Sequence, residues 1–178
     1  MTLTNLLTEQ ATLILAHKIV SSEQVRTIEP KAAQIAGCSM FELMQRAGEA
    51  AFKALKQAWP NARNIIVVAG NGNNAGDGYV VAKLAKQQGI NVVVICEQPE
   101  RKLAGDAKQA QLEWQQHGGE TQRFAEQDYT QFDVVVDALL GTGVTGEVKP
   151  AFQAVIQQIN RVNIPVLSID LPSGMFAN

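Results

Sequence analysis

The stretch IIVVAGNGNNAGDGY, residues 65–79, decides how this chain is read. Ile65, Ile66, Val67 and Val68 form an unbroken β-branched run, the pattern of a strand covered on both faces. The run gives way to Gly70-Asn71-Gly72-Asn73-Asn74-Ala75-Gly76-Asp77-Gly78. Tyr79, Val80, Val81, Leu84 and Ala85 then recur at helical spacing. Strand, glycine-rich turn and helix follow in that order. Such a turn at a helix N-terminus leaves backbone N–H groups free and lets a ligand come close to them. A tight turn without a ligand is the plainer alternative, but two adjacent Asn and one Asp are more polarity than a turn needs.

Outward from this stretch, strand and helix patterns alternate. Strands are expected at 64–69, 91–96, 121–124, 133–138 and 165–169. Helices are expected from the glycine-rich turn to about residue 88, with Gly89 as the stop, at 104–116, and from Pro150 onward. Phe152, Val155, Ile156 and Ile159 mark the buried side of the last. Ahead of the first strand, Ser22 reads as an N-cap, and Pro30 implies two short helices or one kinked helix. Ser39 to Glu42 is a capping box. The helix behind it carries a stripe of Phe41, Leu43, Met44, Ala47, Ala51, Phe52 and Leu55, read as core, and stops before Pro60. Residues 1–20, with Leu6, Leu7, Leu13, Ile14 and Leu15, are expected to form a packing helix or an arm. The alternation predicts an α/β fold: a three-layer, Rossmann-like, doubly wound and mostly parallel sheet with helices on both faces.

The totals narrow the function. A chain of 178 residues, 46% hydrophobic and 18% charged, suits one globular domain at residues 21–178 behind the N-terminal segment. A net charge of −2 without a basic cluster argues against a nucleic-acid partner. Cys38 and Cys96 have no metal-ligand spacing, which argues against zinc or a disulfide framework and for a reducing cytoplasm. No apolar run is long enough for a membrane span, and no Lys or Arg precedes residues 11–16, so neither a membrane anchor nor a signal peptide is expected.

Open α/β sheets bind ligands beyond the carboxyl ends of their strands, where strand order reverses. With order 3-2-1-4-5 that point lies between the first and fourth strands, and three loops meet there. They are the glycine-rich turn, the segment from Asp137 to Glu147, and Asp170-Leu171-Pro172-Ser173-Gly174. Gly70-x-Gly72-x-x-Ala75, with Glu97 about 20 residues on, fits a dinucleotide fingerprint and favours an oxidoreductase. Asp77, in or beside the first helical turn, would repel a pyrophosphate there. No GK[ST] follows the glycines, so a Walker A loop is not indicated. Asn74, Asp137 and Ser173 offer oxygens instead, a low-charge set suited to a monovalent cation.

NNAGDGYVVA, VVDALLGTGVTGE and PVLSIDLPSG, in this order, resemble the NAD(P)H-hydrate epimerase family, the YjeF N-terminal domain. Leu43-Met44-Gln45-Arg46-Ala47-Gly48 is similar to its LMExAG segment, with Gln45 at the usual glutamate. The resemblance runs from about His17 to Gly174. It implies epimerisation of the R and S forms of hydrated NADH and NADPH (NAD(P)HX), in step with a dehydratase domain or protein that accepts one epimer. It also implies a potassium ion held by Asn74, Asp137 and Ser173. Substrate contacts are implied at Asn73, Asn74, Ala75, Gly76 and Asp77, at Gly141, Thr142, Gly143, Val144, Thr145, Gly146 and Glu147 around the phosphates, and at Asp170 by the nicotinamide. Asp170 is the expected general acid–base, with Asp77 second. A homodimer is the expected assembly.

Members of that family continue with further strands, and the match fails at residues 175–178, so a shortened C-terminus is expected. Two other functions remain open from the residues: a Rossmann-type NAD(P) oxidoreductase, and a non-catalytic binding scaffold on the same fold.

Overall fold

A computed structural model describes residues 21–124, 128–144 and 146–175. The expected helix or arm over residues 1–20 lies outside them. Helix α1, Ser22–Ile35, is followed by α2, Met40–Ala58, and then by the strand–helix units. These are β1, Asn64–Ala69; α3, Asn73–Gln87; β2, Asn91–Cys96; α4, Gly105–Gln116; β3, Thr121–Arg123; β4, Val134–Ala138; α5, Pro150–Arg161; and β5, Val166–Ser168. A single 3₁₀ turn, Tyr129–Gln131, precedes β4.

The sheet has order β3-β2-β1-β4-β5, the order on which the placement of the three loops was conditional, and all four pairings are parallel. Strand β1 is central, with Ile66 opposite Val93 on one side and Val135 on the other. Alternation along the strands divides the core in two. Ile65, Val67 and Ala69 face the layer with Phe41, Phe52, Tyr79 and Trp114, from α2, α3 and α4. Ile66 and Val68 face the opposite layer, built on Phe152, Val155 and Ile159 of α5. Both faces of β1 are therefore covered, which is why its sequence shows no polar alternation.

The helix boundaries follow local chemistry. Ser39 and Glu42 form the expected reciprocal cap, with the Glu42 N–H donating to Ser39 Oγ at 3.1 Å and the Ser39 N–H to Glu42 Oε2 at 2.7 Å. Gly89, at φ 75°, lies just past the end of α3 in the left-handed conformation that glycine adopts freely. One expectation changes and one is narrowed to the single-helix alternative. The cap of α1 is Ser21, one residue early, because Gln24 completes its box while Ser22 is buried as the first helical residue. The helix also continues through Pro30 as one element, with the proline exposed.

Candidate functional site

The carboxyl ends of β1, β4 and β5 open into a cleft of about 830 Å³. Its floor comes from Asn71 to Asn74 and Asp77, from Leu139 to Val144, and from Ser168 to Asp170. Helix α1 supplies one wall through Val25, Arg26 and Glu29, and α2 contributes Ala47 and Ala51. The α2 stripe is thus divided. Phe41, Met44, Phe52 and Leu55 are buried, while the small Ala47 and Ala51 face the cleft and leave it room.

Two glycines hold the loops together. A Cβ on Gly70 would collide with the Leu139 carbonyl, so only glycine lets the ends of β1 and β4 approach this closely. A Cβ on Gly141 would lie 2.6 Å from Asp170 Oδ2 and 3.3 Å from the Asn74 Cβ. Gly141 therefore keeps open the space in which all three loops touch.

The backbone of Leu140 is the hub of the oxygen-rich corner. Asn74 Nδ2 donates to its carbonyl at 2.8 Å, and its N–H donates to Ser173 Oγ at 2.9 Å. The Ser173 hydroxyl donates to Asp137 Oδ1 at 2.5 Å, and the Ser173 N–H to Oδ2 at 2.8 Å. Asp137 also accepts from the Leu139 N–H at 3.2 Å and the Ser168 hydroxyl at 3.3 Å. Four neutral donors thus saturate a carboxylate that is 5% exposed. Asp137 fastens the loop after β5 to the end of β4. Asn74 is in the opposite condition. Its amide orientation is set by the Leu140 carbonyl, and its Oδ1 is buried without a donor. A buried acceptor with an empty lone pair, beside a second lone pair on Ser173 Oγ and a buried carboxylate, fits a weakly charged cation. Among the described residues no group of three or more His, Cys, Asp and Glu could hold a metal ion.

Two carboxylates face the cleft. Asp170 Oδ2 accepts the Thr142 N–H at 2.6 Å, and its backbone sits at φ 67°, a left-handed conformation that aspartate tolerates better than most residues. Asp77 lies in the second turn of α3, not the first, because the helix already begins at Asn73. Burial, then the charge of Asp170, then that of Glu29, push its carboxyl up to about 7. Asp77 can hold or release a proton at neutral pH.

The expected phosphate loop is only partly in the cleft. Gly141, Thr142, Gly143 and Val144 line it, whereas Glu147 lines a neighbouring hollow with Gln153 and Gln157, and Thr145 lies outside the described residues. Gly146 is exposed at φ 77° and does not line the cleft. Asn73, Asn74 and Asp77 line the cleft, while Ala75 and Gly76 are buried behind it, Gly76 against Met44. Glu97, the acidic residue of the dinucleotide fingerprint, sits at the end of β2 outside the cleft, with its carbonyl accepting from Arg123. Arg26, Glu29 and Lys149 were not legible as cleft residues, since nothing in their local pattern shows that α1 lies across this rim.

Comparison with known proteins points to one family. The family described as YjeF-related protein N-terminus matches residues 40–178. The bifunctional NAD(P)H-hydrate repair enzyme Nnr of Escherichia coli is 38% identical over 161 residues, covering 90% of this chain and 31% of that protein. The chain therefore spans about a third of the bifunctional enzymes it matches. An NAD(P)H-hydrate epimerase of Rhodobacter capsulatus is 34% identical over 168 residues, covering 90% of this chain and 79% of that protein. A crystal structure of a yeast protein superposes with a TM-score of 0.75 at 26% identity, covering 88% of this chain and 71% of that one. The chain belongs to the YjeF-related N-terminal family, which includes NAD(P)H-hydrate epimerases.

Proposed function

We propose that this chain epimerises NAD(P)HX. The observation that carries the reading is the convergence, in one cleft, of a near-neutral carboxyl at Asp77, a second carboxylate at Asp170 and the glycine loop 141–144. The Thr142 and Val144 N–H groups already donate to Asp170 Oδ2 and to the Gly141 carbonyl, so those of Gly141 and Gly143 are the ones of the kind that bind phosphate. The relatives' names supply the substrate class.

Inversion at C6 of the nicotinamide ring requires its C–O bond to break and re-form. A protonated carboxyl delivers its proton to the departing hydroxyl, which leaves as water, and the ring nitrogen stabilises the resulting cation. Water then adds to either face and returns its proton to the carboxylate, so atoms and charge balance over the cycle. Asp170 is the proposed general acid–base. Its Oδ2 is oriented by Thr142, and the neighbouring Asp77, which holds a proton near neutral pH, can pass it to Asp170 before the hydroxyl leaves and take it back after water adds. Potassium, held at Asn74 Oδ1 and Ser173 Oγ beside Asp137, would supply positive charge that orders the three loops and offsets substrate phosphate. The displacement of Glu97 from the cleft gives the oxidoreductase reading no support.

A dehydratase domain or protein is the proposed functional partner, as the bifunctional names of the relatives suggest. A homodimer and a cytoplasmic setting complete the proposal. Cys38 and Cys96 are free, and no described helix is long and apolar enough to cross a membrane. The test is a chromatographic or NMR time course of purified R- or S-NADPHX, with and without potassium. Faster approach to the epimer mixture, stronger with potassium, supports the reading. Tight binding without turnover would instead favour a binding scaffold.

A further inference from the structure

The cleft wall made by α1 holds a cation facing the glycine loop. A Cβ on Gly143 would stand 3.3 Å from Arg26 Nη2, so the guanidinium rests against the loop that the proposed function gives to phosphate. Glu29, one helical turn along, would be the ordinary ion partner of Arg26 on a helix. Yet the ion pairs among the described residues are Lys83–Glu113 and Arg123–Glu100, and Arg26 joins neither. The cleft also holds both signs of charge. Arg26 meets the loop at Gly143 and Lys149 lines the cleft as well, two cations in a cleft whose carboxylates are Glu29, Asp77 and Asp170, with Asp170 reaching the loop at Thr142. Arg26 belongs to α1, ahead of residues 40–178 that the family match covers.

We infer that Arg26 is a substrate-binding residue, its guanidinium taking a phosphate oxygen of the dinucleotide against Gly143. A planar guanidinium suits this role because it can donate two parallel N–H bonds to one phosphate lying beside the loop backbone. Helix α1 thereby becomes part of the binding site, held in place by its capping box at Ser21 and by the buried Ser22 and Ala33. The phosphate is either the diphosphate, common to NADHX and NADPHX, or the ribose 2′-phosphate that only NADPHX carries. This inference rests on the proposed function for its choice of dinucleotide.

The test is calorimetric binding of ADP-ribose and of 2′-phospho-ADP-ribose to the full chain and to its Arg26→Gln and Arg26→Lys variants. Both probes lack the reacting ring. Arg26 is exposed, and Gln and Lys are close to Arg in helix propensity, so the fold survives either change. Loss of the guanidinium is expected to weaken binding by roughly 10- to 100-fold, with Lys restoring only part. Equal loss for both probes assigns the diphosphate; loss for the phosphorylated probe alone assigns the 2′-phosphate. Unchanged affinity in Arg26→Gln, or no binding by the unsubstituted chain, overturns the inference. An inactive chain whose ADP-ribose binding still depends on Arg26 would remove the epimerase reading and leave this one standing. An active chain indifferent to Arg26 would do the reverse.

Discussion

Replacing Asp77 with Asn should make this protein more stable at high pH and leave it unchanged at low pH. The carboxyl has an ordinary value of 3.8 and is pushed up to about 7 in the folded chain, by burial first and by Asp170 and Glu29 after it. A folded value above the unfolded one means that the folded chain binds the extra proton. The stability associated with that proton is fully present below pH 3.8 and is lost as pH rises through about 7. A gap of about three pH units, at about 1.4 kcal/mol each, sets a ceiling of about 4 kcal/mol. Asp77 keeps some contact with solvent in the cleft, which screens the penalty, so about 2 kcal/mol is expected.

Asn resembles the protonated acid in shape and charge, and its curve should lack this fall. Urea unfolding in potassium-free buffer, from about pH 4 to about pH 9, measures the difference directly. Other carboxylates cancel in the comparison. Asp133 is held below its ordinary value chiefly by the Arg63 and Asn64 N–H groups, which donate at 2.7 and 2.8 Å. Its contribution is therefore lost only in acid, and equally in both proteins. A constant gap between the two curves across the whole range would refute the argument, since it would show that Asp77 is charged in the folded chain as readily as in the unfolded one.

Three further outcomes follow from the same cleft. Potassium chloride should raise the melting temperature relative to choline chloride at equal ionic strength, and Asn74→Ala should abolish the rise, because the orphaned Asn74 Oδ1 is the acceptor that gains most from a cation. Asp170→Asn should lower the epimerisation rate by roughly 10²- to 10⁴-fold with substrate affinity retained, a range usual for a general acid–base. Asn tolerates the left-handed backbone at φ 67°, so the melting temperature should hardly move, and full activity would take Asp170 out of the mechanism. Gly141→Ala places a methyl group 2.6 Å from Asp170 Oδ2 and should cost about 2 kcal/mol of stability in urea unfolding, together with a slower rate.

The fold was legible because its information is local. Four β-branched residues in sequence at 65–68 require cover on both sides, and a parallel sheet flanked by helices is how a chain of this length provides it. The glycines that end or join elements follow from the same kind of reasoning: Gly89 supplies a left-handed residue, and Gly70 yields space to the Leu139 carbonyl. The convergence of three polar loops followed from the sequence only on the condition of this strand order, which the sheet then supplied.

The cleft was legible only in part, because a residue's type does not say which of its atoms are already engaged. Asp137 and Asn74 both read as oxygen donors to a cation. In the structure their oxygens are unequally engaged. Asp137 accepts four protein hydrogen bonds and fastens the loops, while Asn74 keeps an acceptor without a donor. An anion buried among neutral donors still attracts a cation through its charge. A neutral amide does so only through direct contact. In the proposed potassium site Asp137 would therefore contribute field and scaffold and Asn74 a ligand atom, and a substitution at each should separate the two. Asp137→Asn would loosen the loop after β5 with or without potassium, whereas Asn74→Ala would lose its bond to the Leu140 carbonyl in either salt and, in addition, the part of stability that potassium adds.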